Sequence, residues 1–175
     1  MDSYTLHTPV GWIRLESDGT ALLRLILNAP RPAGASCPPS ALLSETADQL
    51  LAYFRGDRTS FTVPLRPEGT GFEKAVWSCL RDVPYGETRS YRDIARCAGS
   101  ENGWRAVGNA VGRNPIPILI PCHRIIRSDG RIGGFTGGIP IKESLLQLES
   151  TIRTRQLERE RKKRSRSHRS AAHPS

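Results

Sequence analysis

One stretch constrains this chain more than any other: residues 114–124, where three prolines alternate with an apolar run that ends in Cys122-His123-Arg124. Proline fixes φ and removes a backbone donor, so the stretch cannot be a helix interior or a central strand. We predict a stiff, extended, buried segment that delivers Cys122 to a fixed place. Cysteine is a strong nucleophile only as a thiolate, and the imidazole of His123 is placed to take its proton. A bare Cys-His pair is also compatible with a buried structural cysteine beside a core histidine.

Composition narrows the class of protein. The 175 residues are 37% hydrophobic and 25% charged, enough for one good core or two small ones. No apolar run reaches 18 residues, and the first residues lack the pattern of a signal peptide, so we expect no membrane partner and an intracellular protein. The four cysteines should then be reduced. They form no Cys-x-x-Cys pair, which predicts neither zinc nor any other metal or cofactor.

The positive charge is concentrated at the end of the chain. Residues 153–175 contain nine Lys/Arg and two Glu, a net +7 out of the total of +9. The high charge is therefore mostly a property of this tail, and cannot by itself indicate that the folded part binds nucleic acid. We predict either a disordered, solubilising extension or an electrostatic anchor to phosphates. A nuclear localisation signal is a third, weaker interpretation of the basic run.

The N-terminal part, residues 1–65, has the pattern of a small antiparallel β-meander with one helix. Asp18-Gly19 lies between two apolar or alternating runs and indicates a hairpin. We predict strands over 4–15 and 20–27, a third strand near 61–65, a surface loop over 29–39 and a helix over 40–54. Residues 64–71, rich in Pro and Gly, are the expected connector to a second domain over 66–152.

The second domain has the spacing of a helix-turn-helix. A helix over 72–83 precedes Pro84, and Ser90 with Asp93 three residues later is a good helix start. Helices over 91–98 and 104–112 flank a short Gly-containing turn. In the second of these, Val107 and Val111 should face the core, and the opposite side offers Ala106, Gly108, Asn109 and Ala110. This smooth face suits a minor groove approached without sequence readout, although small residues also permit tight helix packing.

The residues around Cys122 resemble a known family, the DNA-repair alkyltransferases that act on O6-alkylguanine (methylated-DNA–protein-cysteine methyltransferases). The matching residues lie between Gly69 and Glu149: Gly69-Thr70-Gly71-Phe72, Val76-Trp77, Pro84-Tyr85-Gly86-Glu87-Thr88, Ser90-Tyr91, Arg105-Ala106-Val107-Gly108, Asn114 to Arg124, Gly137-Gly138 and Lys142-Glu143. Pro-Cys-His-Arg after Ile-Pro-Ile-Leu-Ile is a highly specific signal. The resemblance implies an α+β fold, with a ribonuclease-H-like N-terminal domain and a winged-helix-like helix-turn-helix in a mostly helical C-terminal domain.

The resemblance also implies a chemistry. Cys122 aligns with the alkyl acceptor, His123 with the base that acts through a water, and Glu149, at the end of a helix over 140–149, with the carboxylate that orients His123. Tyr91 aligns with the tyrosine that helps rotate the nucleotide, and Arg105 with the finger that fills the vacated stack. The remaining implied residues are Asn114 (hinge), Lys142 (supporting charge), Ala106, Asn109, Ala110 and Arg113 (DNA contacts), and Pro117, Ile125, Phe135 and Thr136 (base pocket).

The expected partner is double-stranded DNA containing O6-alkylguanine, attacked by a monomer that is consumed after one transfer. It would act in the cytoplasm, on the nucleoid, of a prokaryote or in the nucleus of a eukaryote, and O4-alkylthymine is a possible second substrate. Three alternatives differ in class. A non-catalytic protein that flags alkylated DNA would not need Cys122, a cysteine hydrolase would not need a helix-turn-helix, and a transcription regulator would need more readout side chains than this helix offers.

Overall fold

The computed structural model describes residues 1–34 and 38–172. Its architecture is α+β, with a three-stranded antiparallel sheet at the N-terminus and five α-helices in the described ranges. The strands are β1 (Asp2–Thr8), β2 (Gly11–Ser17) and β3 (Leu22–Ile26), paired in that order. The helices are α1 (Ala41–Arg55), α2 (Gly71–Arg81), α3 (Tyr91–Cys97), α4 (Trp104–Gly112) and α5 (Ile139–Ala171). None of the helices described is long and apolar enough to cross a membrane.

The predicted hairpin is confirmed, but the meander is assembled differently. Asp18 accepts hydrogen bonds from the backbone N–H groups of Thr20 and Ala21 (2.8 and 2.9 Å) and so fixes the turn between β2 and β3. The run 4–15 is two strands rather than one, because the chain reverses at residues 9–10. The expected third strand near 61–65 is wrong: this segment contributes a single bridge from Leu65 to Leu22.

The helix-turn-helix prediction is confirmed in its elements. The Ser90 hydroxyl accepts from the Asp93 N–H (3.1 Å), and the Asp93 carboxylate accepts from the Ser90 N–H (2.8 Å), which starts α3. Helix α4 follows after a short turn. A two-residue strand, β4 (Arg89–Ser90), pairs in parallel with β5 (Ile125–Ile126), so the start of α3 is joined to the segment just after Cys122.

The proline-rich stretch is buried, as predicted, but it is not extended. Ile118 has φ 74°, and Ile120 donates to the carbonyl of Ile116 (2.9 Å), so the chain makes a tight turn before it reaches Cys122. Asn114 closes this turn: its Nδ2 donates to the Ile120 carbonyl (2.8 Å) and its Oδ1 accepts from the Ile116 N–H (3.0 Å). A side-chain amide therefore supplies the pairing that the prolines cannot.

Two further expectations need correction. Helix α5 does not end near residue 149: it continues through the basic tail to Ala171, where we expected disorder. The expectation of reduced cysteines is wrong for two of them, because Cys79 on α2 and Cys97 on α3 form a disulfide. Cys122 is buried and free. Cys37 lies outside the described residues, as does part of the predicted loop over 29–39.

Candidate active site

A single buried carboxylate organises the site behind Cys122. Glu149, on α5, is 1% exposed, and its Oε1 accepts from His123 Nε2 at 2.7 Å. Arg124 binds the same carboxylate in bidentate fashion, from Nε to Oε2 and from Nη2 to Oε1, both at 2.9 Å. A bidentate pair of this kind holds the Glu149 carboxylate in one position and stabilises its negative charge. Cys122 begins the 3₁₀ turn Cys122–Arg124, and the other two residues of this turn, His123 and Arg124, both bind the Glu149 carboxylate.

Two more donors reach Glu149 from elsewhere in the chain. The Tyr53 hydroxyl, on α1, donates to Oε1 (2.7 Å), and the Gly86 N–H donates to Oε2 (3.2 Å). Burial alone would raise the pKa of Glu149, but hydrogen bonds and charge from His123 and Arg124 outweigh it and lower the pKa to about 2. The carboxylate is therefore ionised at neutral pH.

His123 is held as a neutral imidazole. It is fully buried, and this burial lowers its pKa, against the opposing effect of Glu149. An ionised carboxylate can only accept, so Nε2 carries the proton and Nδ1 keeps a lone pair. Nδ1 has no hydrogen-bond partner among the described residues. The lone pair on Nδ1 gives the ring a site that can accept a proton.

The Cys122 thiol is protonated at rest. Burial raises its pKa to about 11, although the Asn114 side chain and the charge of Lys142 act in the opposite direction. Lys142, on α5, is itself buried, and burial lowers its pKa to about 8. Its ammonium donates to the carbonyls of Ile125 (2.5 Å) and Gly134 (3.2 Å). Reaction at this sulfur consequently requires removal of the thiol proton rather than a standing thiolate.

Cys122 opens onto a cavity of about 330 Å³, within the size range of small-molecule sites. Tyr91 and Phe135 supply its aromatic surface, and glycines supply much of the rest. A second, larger cavity of about 770 Å³ adjoins it and shares Tyr91, Gly108 and Gly134. Cys122 lines the smaller cavity and not the larger one, so we propose that the chemistry takes place in the smaller one. Burial raises the pKa of Tyr91, and the nearby Cys122 adds to the effect.

The predicted base pocket is only partly assembled. Phe135 and Thr136 line the Cys122 cavity, although the Thr136 hydroxyl is already used in donating to the Gly112 carbonyl (2.8 Å). Pro117 and Ile125 are buried and do not belong to the cavity lining. Ile125 pairs with β4 and offers its carbonyl to Lys142, so it supports the site from behind. The contacts predicted for these two residues with the alkylated base stay predictions.

On α4 the predicted DNA contacts divide into exposed and buried residues. Arg105, Ala106 and Asn109 are exposed, and Arg105 and Asn109 line the larger cavity. The Arg105 guanidinium lies 5.1 Å from the centre of the Trp104 ring. Ala110 was expected on this face but is buried, on the side of the helix that packs against α2, where its carbonyl accepts the indole N–H of Trp77 (2.8 Å).

Arg113 lies at the other end of the helix, where it pairs with Glu73 of α2 (3.2 Å). Its side chain is exposed, yet it is already engaged with a carboxylate on the neighbouring helix. Within residues 1–34 and 38–172, no three His, Cys, Asp or Glu side chains come close enough to hold a metal ion.

Sequence reasoning missed four residues of the site. Arg124 had no assigned role, although a charged residue at the end of a long apolar run signals a buried ion pair. Tyr53 and Tyr85 flank Glu149 and Arg124 from sequence positions that no local pattern connects to the site. The structure also adds Trp104, which supports Arg105 beside the larger cavity.

Comparison with known proteins identifies a family for this chain. Residues 71–151 match the family model described as "6-O-methylguanine DNA methyltransferase, DNA binding domain". The chain is 55% identical over 105 residues to the methylated-DNA–protein-cysteine methyltransferase of Methanosarcina barkeri, covering 60% of this chain and 66% of that protein, slightly under two thirds of it. It is 43% identical over 150 residues to the enzyme of the same name from Mycobacterium bovis, covering 84% and 91%.

Solved structures give the same result. The crystal structure of Mycobacterium tuberculosis OGT in complex with DNA superposes with a TM-score of 0.79 at 42% identity, over 87% of this chain and 94% of that one. In class, the chain matches methyltransferases with a DNA-binding domain in sequence and in fold. The chain belongs to the methylated-DNA–protein-cysteine methyltransferase family, which serves DNA repair at O6-methylguanine.

Proposed function

We propose that this protein repairs O6-alkylguanine in DNA by moving the alkyl group irreversibly to its own Cys122. The observation that carries the proposal is the placement of a buried, free Cys122 on the wall of a cavity, with the ionised Glu149 and neutral His123 directly behind it. This is the order of a nucleophile, a base and an orienting acid. Membership of the family supports the substrate, because the relatives are named for methylated DNA.

The transfer is a single in-line displacement. The bond from guanine O6 to the alkyl carbon breaks as the bond from Cys122 Sγ to that carbon forms, and the electron pair leaves with the guanine. The thiol proton passes to His123 Nδ1, bridged by a water, and the imidazolium is stabilised by Glu149. The Tyr91 hydroxyl donates a hydrogen bond to guanine N3, which stabilises the negative charge of the leaving guanine. That guanine takes up one proton at N1 from water, and His123 returns the thiol proton to water. Protons and charge therefore balance over the whole reaction.

The product explains why the protein is consumed. A thioether is a poor leaving group, and the proton transfer through His123 supplies no means of breaking its carbon–sulfur bond. Each chain should accept one alkyl group. Asn114 holds the turn before Cys122, and Lys142 keeps a positive charge beside the sulfur, which favours the developing thiolate.

Access to the lesion requires base flipping. The O6 substituent of a stacked guanine cannot be reached in line, so the nucleotide must leave the duplex at a cost of a few kcal/mol. We infer that α4 lies in the minor groove through Ala106 and Asn109, and that Arg105 occupies the vacated stack. All three side chains are exposed, and Arg105 and Asn109 line the larger cavity, which supports this arrangement. Tyr91, shared by both cavities, is placed to rotate the nucleotide.

Other parts of the proposal follow the family. We propose that the N-terminal unit over 1–65 is ribonuclease-H-like and supports the catalytic unit over 66–152, in which α3, α4 and the β4–β5 pair form a winged-helix-like module. We propose that the protein acts as a monomer. O4-alkylthymine, whose alkyl oxygen also projects from the pairing edge, is a second candidate substrate.

A stoichiometric repair assay tests the proposal. Duplex DNA carrying O6-methylguanine is mixed with increasing protein, and restored guanine is counted at completion. We expect one guanine per chain, with none for Cys122→Ala at equal DNA binding. Multiple turnovers would contradict a suicide reaction. Tight binding of the lesion without restored guanine by the wild type would favour a non-catalytic protein that flags alkylated DNA.

A further inference from the structure

Helix α5 extends well beyond the body that it packs against. Its buried residues are Lys142, Leu145 and Glu149, and further along the helix Ile152 packs against Gly56 and Arg153 against Gly86. From residue 157 to residue 172 every side chain is exposed. The helical part of this segment, 157–171, projects for roughly 22 Å at 1.5 Å per residue. We call it the α5 extension.

The α5 extension is strongly cationic on all sides. It contains seven Lys/Arg against two Glu, a net +5: Arg159, Arg161, Lys162, Lys163, Arg164, Arg166 and Arg169, with Glu158 and Glu160. Like charges four residues apart, such as Arg159 with Lys163 and Lys162 with Arg166, disfavour a helix in water. An unpacked helix of this length is marginal even without that repulsion. Neutralisation by a polyanion would remove the repulsion and stabilise the helix.

The chemistry of the α5 extension selects a phosphate backbone over a membrane surface. Helices that lie on membranes need an apolar stripe beside the basic one. Residues 157–171 include only Leu157 and Ala171 as apolar side chains, too few to form such a stripe. Positive charge distributed around the helix suits contact with phosphates, which requires no fixed face and no base readout.

The α5 extension leaves the body beside the helix-turn-helix. Arg153, about three helical turns after the buried Lys142, packs on Gly86 and lies 3.9 Å from the Glu87 carboxylate. The other oxygen of Glu87 takes the guanidinium of Arg89 (2.9 Å), and Arg89 is the strand residue that leads into α3. One carboxylate thus ties the base of the α5 extension to the entrance of the DNA-binding module.

We propose that the α5 extension is a second DNA contact, which binds duplex phosphates beside the lesion without sequence preference. The proposal rests on the proposed function, since it takes DNA as the partner. It assigns the four cations of residues 162–166 the main role, because they are the densest group. The α5 extension would lengthen the time the protein spends on undamaged duplex while α4 searches for a lesion.

Salt dependence of DNA binding tests the proposal on the full chain. The neutral variant Lys162→Gln/Lys163→Gln/Arg164→Gln/Arg166→Gln keeps length and helix propensity. Its matched control, Lys162→Arg/Lys163→Arg/Arg164→Lys/Arg166→Lys, changes the same positions and keeps every charge. Dissociation constants for an undamaged duplex are measured by fluorescence anisotropy over a series of salt concentrations. Each lost phosphate contact should lower the slope of log K against log salt by about 0.9.

We expect the neutral variant to lose about 2 to 4 units of slope and the charge-retaining control to match the wild type. Equal slopes for all three proteins would overturn the proposal. Equal slopes together with binding to phosphatidylserine vesicles that the neutral variant loses would also overturn it, in favour of a membrane. A repair assay on the wild type runs beside these measurements. Failure of wild-type repair would contradict the proposed function, whereas unchanged slopes contradict only the role of the α5 extension.

Discussion

The hydroxyl of Tyr53 on α1 donates a 2.7 Å hydrogen bond to Oε1 of Glu149 on α5, across 96 residues of sequence. Both side chains are buried, and the same oxygen accepts from His123. The helix that packs on the N-terminal sheet therefore helps to position the carboxylate that binds His123, the neighbour of Cys122 in the chain. This contact gives the N-terminal unit a physical role in the site beyond general support.

Tyr53→Phe should lower the stability of the protein and the rate of methyl transfer, whereas Tyr85→Phe should not. A buried hydrogen bond to a charged group is worth about 1.5–3 kcal/mol, so we expect Tyr53→Phe to lose that much unfolding free energy and to transfer the methyl group several-fold more slowly. The Tyr85 hydroxyl has no partner among the described residues, so its removal should change stability by less than about 0.5 kcal/mol. Urea unfolding and single-turnover rates of the two variants make the comparison. Equal effects would show that the Tyr53 hydrogen bond does not act through Glu149.

Glu149 should make stability depend on acid pH. Its pKa is lowered from 4.5 to about 2 in the folded state, so the unfolded chain binds the proton more readily. The stabilisation is fully present above about pH 4.5 and is lost as the pH falls towards 2. Glu149→Gln leaves Arg124 unpaired and should cost about 3–5 kcal/mol at pH 7. The difference between wild type and variant in urea unfolding should shrink as the pH falls through that window. A pH-independent difference would contradict the assignment, since every other carboxylate is shared by the two proteins.

Arg105→Ala should slow the flipping of the nucleotide out of the duplex without changing the methyl transfer itself. If Arg105 fills the vacated stack, its loss should slow transfer on a duplex by about tenfold or more, or roughly 1.4 kcal/mol. Transfer from a single-stranded oligonucleotide needs no stack to be filled and should change much less. Arg113→Ala is the comparison on the same helix, because its guanidinium already pairs with Glu73. A similar loss on both strand forms would instead assign Arg105 to phosphate binding.

The Cys79–Cys97 disulfide should stabilise the helix-turn-helix. It joins α2 to α3 across 18 residues, and loop-closure entropy for that length predicts about 3 kcal/mol of stabilisation. Non-reducing peptide mass mapping should find the two cysteines joined, and Cys97→Ala should unfold at lower urea than the wild type. Reductant should abolish the difference between the two proteins. Separate, unmodified Cys79 and Cys97 peptides from protein prepared without reductant would contradict the crosslink.

Local chemistry was predictable where a few adjacent residues decide it. Ser90 with Asp93 started α3 as expected, and the proline-braced run identified Cys122 and His123. The turn at Ile118 could not be predicted, because it depends on a hydrogen bond from the Asn114 side chain to a carbonyl six residues later in the chain. Ala110 was wrongly predicted on the exposed face, because helical periodicity within α4 does not show that Trp77 of α2 packs beside it and donates to its carbonyl.

Long-range partners required either the family resemblance or the structure. The pairing of His123 with Glu149 followed only from the resemblance, and no sequence pattern connects Tyr53 to either residue. The disulfide was missed because an expected reducing compartment outweighed the spacing of Cys79 and Cys97. The helical tail was missed because like charges argue against a helix in isolation.

The most direct test of the central claim is a mass map of the protein after one exposure to a duplex containing O6-methylguanine. We predict one methyl group in place of one hydrogen, located on the peptide that contains Cys122, at one equivalent per chain and with unmodified guanine left in the DNA. A repaired duplex with an unmodified Cys122 peptide, or a methyl group on any other residue, would contradict the account.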